Sequence, residues 1–195
     1  MSSALSLDLE SQVQRLENEP PSFPEDLAFG TAGAGVALGA NIAVHLSSCY
    51  LLNQLGYTVD EPQDVMRALD GISAIASPFL QLILKVALVV YIVLLAPLFE
   101  EYIFRDKLWS YQESDKPEQE TFGDKAYRVV SNGVIFGAVH LSPAQGVANI
   151  PIFLSTMVGG VVMAALRQWT GNSRAAKVCH VAHNSASMTL YALGI

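Results

Sequence analysis

Four stretches of this chain carry at most one charged side chain, and they restrict what it can fold into more than any other feature. Leu27 to Leu52 has no Asp, Glu, Lys or Arg, and Ile72 to Leu98 has only Lys85. Val129 to Leu166 is free of all four residue types, as is Val178 to Ile195. An α-helix rises about 1.5 Å per residue, so roughly 20 apolar residues cross the hydrocarbon core of a bilayer. The first two runs are each long enough for one crossing. The third is long enough for two, with "SPAQG" at 142–146 as the break between them. The fourth makes a further, slightly short crossing. Helices buried in soluble proteins seldom run beyond about twenty residues without a charge. The fold class expected is all-α: a polytopic membrane helix bundle with about five transmembrane helices.

Composition points the same way, with 51% of residues apolar, 15% charged and a mean hydropathy of +0.35. The net charge of −7 comes with no basic patch, which excludes nucleic acid as a partner. Residues 1–26 form an acidic, polar N-terminal tail that ends in "ENEPPSFPED" and does not read as a secretory leader. Residues 27–195 are the membrane-embedded helical domain. Five crossings put Arg15, Arg105, Lys107, Lys116, Lys125, Arg128, Arg167, Arg174 and Lys177 on one side and Arg67 alone on the other. The positive-inside rule then makes the N-terminus and both basic loops cytoplasmic. Lys85, within the second run, is expected to snorkel or to face water. Cys49 and Cys179 lie in apolar segments without CxxC spacing and are expected to pack in the core. Gly35 and Gly39 form a GxxxG, which is expected to pack against a neighbouring span of the same chain and also permits a dimer. Of the polar residues further along the same run, Asn41 and His45, the histidine is expected to make an interhelical hydrogen bond.

The stretch "FEEYIFR", Phe99 to Arg105, closes the second run with two adjacent glutamates. A charge near the bilayer core costs a few kcal/mol and needs a partner or a task. Glu101 and Arg105 are i, i+4, an ion-pair spacing on one helix face. Glu100 is turned by about 100° from Glu101 and faces elsewhere. Two more groups lie in apolar surroundings: "FGAVH" sets Phe136 and His140 at i, i+4, and "HVAHN" does the same for His180 and Asn184, with His183 between them as a reserve or supporting donor. Counted inward from the nearest basic residue at about 1.5 Å per residue, all four of Glu100, His140, His180 and Asn184 fall in the cytoplasmic half of the bilayer. Four polar groups on three spans at compatible depth suggest one shared cavity.

EExxxR, then FxxxH, then HxxxN, in that order and each on its own apolar segment, resembles the type II CAAX prenyl endopeptidases. These are also called the CPBP (CAAX protease and bacteriocin-processing) or ABI family of intramembrane proteases. The motifs run from Ala96 to Asn184, with Pro97 just before the first, inside a family-like core of about residues 72–195. One departure is Asp106, where the family commonly has glycine. The resemblance implies peptide hydrolysis near the membrane. Glu100 would be general base for a water, His140 would hold that water or shuttle its proton, and His180 and Asn184 would donate to the oxyanion. Glu101, Arg105 and His183 would be structural support. Eukaryotic members of the family trim the last three residues from prenylated CAAX proteins, and bacterial members are linked to peptide maturation and bacteriocin immunity. A small chain with short loops suits the inner membrane of a bacterium.

Zinc on Glu100, His140 and His180 is the metal-assisted form of the same chemistry. With no HExxH, and no two histidines at i, i+4, the metal-free, glutamate-based form is favoured. The partners expected are the bilayer and a peptide or protein substrate, lipidated or membrane-bound. Two other function classes compete: a non-catalytic membrane partner in peptide immunity or assembly, and an ion or proton pathway. The second fits less well because the spans show no internal repeat.

Overall fold

The computed structural model describes residues 21–59, 64–113 and 119–193, so most of the acidic tail, Arg15 and Lys116 lie outside the described residues. Helix α1 spans Phe23–Gln54, α2 Asp64–Ser73 and α3 Pro78–Gln112. Helix α4 spans Phe122–Ala138, and a 3₁₀ segment over Pro143–Ala148 leads into α5, Asn149–Thr170; α6 is Arg174–Leu193. No strand occurs among the described residues. Three helical stretches are long and apolar enough to cross a membrane: Phe23–Gln54, Pro78–Gln112 and Pro143–Thr170. Helices α4, of 17 residues, and α6, of 20, lie where the sequence suggests two further crossings but are not among these three. Each is less apolar because it opens with charge: Asp124, Lys125 and Arg128 on α4, and Arg174 and Lys177 on α6.

The helix starts are built from ordinary local chemistry. Ser22 caps α1 in a capping box, its backbone N–H donating to the Glu25 carboxylate at 2.8 Å, and Pro24 sits in the first turn, where a missing N–H costs nothing. Thr121 and Asp124 form the same box on α4. There the hydrogen bond from Thr121 holds the Asp124 carboxyl below its ordinary pKa. Gly171, with φ of 69°, ends α5 in the left-handed region that glycine enters without strain.

Helix α5 is the centre of the bundle, packed by α4, α1 and α6, while α1 also packs along α6. Close approach explains several glycines. A Cβ on Gly137 would lie 2.9 Å from both the Met157 Cβ and the Phe153 carbonyl oxygen, so α4 can meet α5 only with glycine there. On α1 the packed glycines are Gly30 and Gly33, against Val178 and Leu166. Gly35 and Gly39 face open space instead, so the GxxxG does not pack against a neighbouring span as the sequence suggests. The reason is phase: the face that meets α5 and α6 runs through Gly30, Gly33, Ala34 and Ala37, with Ala34 and Ala37 in the core. Cys179 is in the core and Cys49 is half-buried.

Charged residues gather at one end of the bundle. Asp26 at the start of α1 meets Arg174 at the start of α6 at 2.7 Å, and Asp106 meets Lys177 at 3.0 Å. Trp109 lies between Arg128 and Arg167, whose guanidinium carbons are 5.2 and 5.3 Å from its ring centroid. Asp70 is at the opposite end, taking a hydrogen bond from the Tyr191 hydroxyl at 3.2 Å.

Candidate active site

The site is assembled around an irregular helix. In α3 the α-helical path gives way to π-helix at Tyr91–Leu95, returns over Ala96–Glu101, and gives way again at Tyr102–Leu108. Such bulges inside α-helices are frequent at functional sites. The short α-helical piece between the two carries both glutamates.

The two carboxylates have different surroundings. Glu101 is fully buried and uses both oxygens: Oε2 lies 3.2 Å from Arg105 Nε and Oε1 lies 2.9 Å from His180 Nδ1. Arg105 is also fully buried, donates from Nη2 to the Gly160 carbonyl at 2.8 Å, and stacks its guanidinium 4.8 Å from the Phe136 ring centroid. Glu101 therefore joins α3 to α6, and its partner Arg105 joins α3 to α5. Glu100 is 29% exposed and has Oε2 3.7 Å from His180 Nε2, beyond hydrogen-bonding distance.

The rings fix the proton positions. A carboxylate can only accept, so His180 Nδ1 carries a hydrogen toward Glu101 and turns Nε2 toward Glu100. Helix α4 ends at Ala138, which leaves His140 in the turn beyond it rather than on the helix. Its Nδ1 is 2.7 Å from the Phe136 carbonyl, again an acceptor, so the neutral ring has its lone pair on Nε2. Phe136 lies between the two histidines, with ring centroids 4.7 Å from His140 and 5.5 Å from His180. The FxxxH pair thus stays together through a turn instead of a helix face.

Further along α6, Asn184 Nδ2 donates to the Ile92 carbonyl at 3.0 Å, and His183 lies against both Asn184 and Asn41 of α1. Among the described residues the His45 ring makes no interhelical hydrogen bond, its carbonyl accepting only locally from Ser48 Oγ, and the α1 contact comes from Asn41 instead. Nothing in the sequence alone assigns a role here to Asn41 or to the carbonyls of Ile92 and Gly160. Pro97, beside the first motif, was the available signal for the second. Among the described residues, no three His, Cys, Asp or Glu side chains are grouped to hold a metal ion. With Nδ1 of His180 on Glu101 and Nδ1 of His140 on a carbonyl, each ring keeps Nε2 for a further partner, an orientation that would serve a water or a metal ion alike.

A family model described as type II CAAX prenyl endopeptidase Rce1-like matches residues 82–186, which take in both glutamates, Phe136, His140, His180 and Asn184. No curated protein and no solved structure is significantly similar to the chain.

Proposed function

Because the chain belongs to the Rce1-like type II CAAX prenyl endopeptidase family, we propose that it hydrolyses peptide bonds with a water activated by Glu100. Family membership and the three long apolar helices make it an integral membrane endopeptidase that meets the bilayer and peptide substrates. The observation that carries the finer reading is the division of labour between neighbours. Both oxygens of Glu101 are engaged in a buried network, whereas Glu100 is half-exposed beside His180.

In the proposed reaction a water hydrogen-bonds to Glu100 and to the lone pair of His140 Nε2. Glu100 takes a proton as the water oxygen forms its bond to the scissile carbonyl carbon. The resulting oxyanion accepts from Asn184 Nδ2 and from His180 Nε2. Because Nδ1 of that ring already donates to Glu101, donation from Nε2 uses the doubly protonated ring, with Glu101 as its counter-charge. The carbon–nitrogen bond then breaks and Glu100 returns its proton to the leaving amine, so no net proton is consumed. No metal takes part in this sequence. The host membrane is proposed to be a bacterial inner membrane, with the charged end of the bundle facing the cytoplasm.

A proteomic comparison of membranes carrying wild-type protein or Glu100→Ala tests the reading. At least one peptide should remain uncut in the variant, and purified wild-type protein should release the C-terminal tripeptide from a farnesylated CAAX peptide. Identical peptide profiles, with no tripeptide released, would remove the case for this activity.

A further inference from the structure

The Ile92 carbonyl has no donor in its own helix. Its α-type partner, the Ala96 N–H, is given to Tyr91. The π-type partner would be residue 97, which is proline and has no N–H. An orphaned carbonyl at membrane depth needs a partner, and Asn184 Nδ2 supplies it at 3.0 Å.

That contact sets the direction of a hydrogen-bonded chain across three helices. A carbonyl only accepts, so the Asn184 atom facing Ile92 is nitrogen and its Oδ1 is turned to His183, 3.3 Å from Nδ1. His183 Nδ1 must then donate, which leaves the lone pair on Nε2. Asn41 Nδ2 lies 2.9 Å from that nitrogen and donates to it. Every member has one role, and none can be reversed without reversing the rest. The room for Asn41 comes from α5, where a Cβ on Gly159 would sit 3.2 Å from Asn41 Nδ2.

We propose that Asn41, His183 and Pro97 are positioning residues that lock the Asn184 amide so that its second Nδ2 hydrogen points at the reacting carbonyl. Pro97 withholds the competing N–H and so anchors one end of the relay. Asn41 anchors the other from α1, outside the family-matched residues 82–186. The functional part of the inference rests on Asn184 being an oxyanion donor, while the relay itself stands on geometry alone.

The test uses the full-length protein in detergent, labelled with ¹⁵N-histidine, with a farnesylated CAAX peptide as kinetic probe. Wild-type His183 should give the nitrogen shifts of the Nδ1–H tautomer. Asn41→Asp puts an acceptor opposite Nε2, so the ring should switch to the Nε2–H tautomer and release Asn184. A misplacement of about 1 Å can cost up to about 100-fold; kcat is expected to fall roughly tenfold with KM within about twofold. Pro97→Ala offers a new N–H to Ile92. It should lower kcat by a similar factor at constant KM while His183 stays Nδ1–H, and it serves if Asn41→Asp does not fold. An Nε2–H tautomer in the wild type overturns the relay. So does a kcat unchanged in Pro97→Ala, or unchanged in Asn41→Asp after the tautomer has switched. A correct tautomer pattern in a protein that cleaves no peptide would instead sink the protease reading and leave the relay standing.

Discussion

The two halves of α3 are one continuous helix, yet they are stabilised in opposite ways. Pro78–Val90 is almost wholly apolar, follows an ordinary α-helical path and buries none of its residues within the chain. Beyond Val90 the path turns π-helical twice, and Pro97, Glu101, Phe104, Arg105 and Trp109 are buried. The first half needs little from protein, because a regular helix satisfies its own backbone and, Lys85 and Gln81 apart, its side chains match the acyl chains; Gln81 donates to the Ser73 and Ile75 carbonyls. The second half gives up regular hydrogen bonding and carries charge, both of which require protein partners. Those partners are α4, α5 and α6, and the groups that supply them are the ones gathered around Glu100. Irregular backbone and candidate chemistry therefore occupy the same stretch for the same reason.

Substitutions can break this contrast or sharpen it. The largest effect should come from Glu100→Gln, which keeps shape but removes a base. Cleavage of the farnesylated peptide should fall by about 10²–10⁴-fold, with an unfolding midpoint in detergent equal to that of the wild type. A drop in the midpoint would place Glu100 with the structural groups. Next comes Glu101→Gln, which leaves Arg105 buried without its counter-charge. A loss of about 3–5 kcal/mol is expected, read as lower yield and earlier denaturation as well as lost activity. Full stability in that variant would contradict the division drawn between the two glutamates.

Gly160→Ala should have a moderate effect. Its Cβ would fall 3.0 Å from Phe136, the residue between the histidines, and 3.1 Å from the Gly133 Cα. Overpacking of this kind costs about 1–3 kcal/mol, so the unfolding midpoint should drop measurably. The smallest effect belongs to the first half of α3: Val86→Ala, at a position 54% exposed, should change stability by no more than about 0.5 kcal/mol. A larger loss there, measured by the same denaturation curve, would mean that something other than lipid covers Pro78–Val90.

Much of this was legible in the sequence. Charge-free runs locate the long helices because a bilayer filters charge strongly, and "SPAQG" coincides with the 3₁₀ segment between α4 and α5. The spacing of Glu101 and Arg105 anticipates their contact, since i and i+4 remain neighbours even where the helix loosens. The π segments were not legible, because periodicity arguments assume a constant turn. Nor was the choice of glycines on α1. Gly30 and Gly33 pack while Gly35 and Gly39 do not, and that depends on the rotation of a helix whose faces are all similarly apolar. The role of Asn41 was not legible for a related reason: its partner His183 is 142 residues away, and only the fold brings them together.

The central claim is that the protein's own groups activate the water at Glu100, and metal content tests it most directly. Purified wild-type protein, assayed by elemental analysis and then treated for a long period with a strong chelator, should contain substoichiometric zinc and retain peptide cleavage. A catalytic zinc needs three protein ligands and an open position. One zinc per chain, lost in His180→Ala or His183→Ala and accompanied by chelator-sensitive activity, would contradict the account.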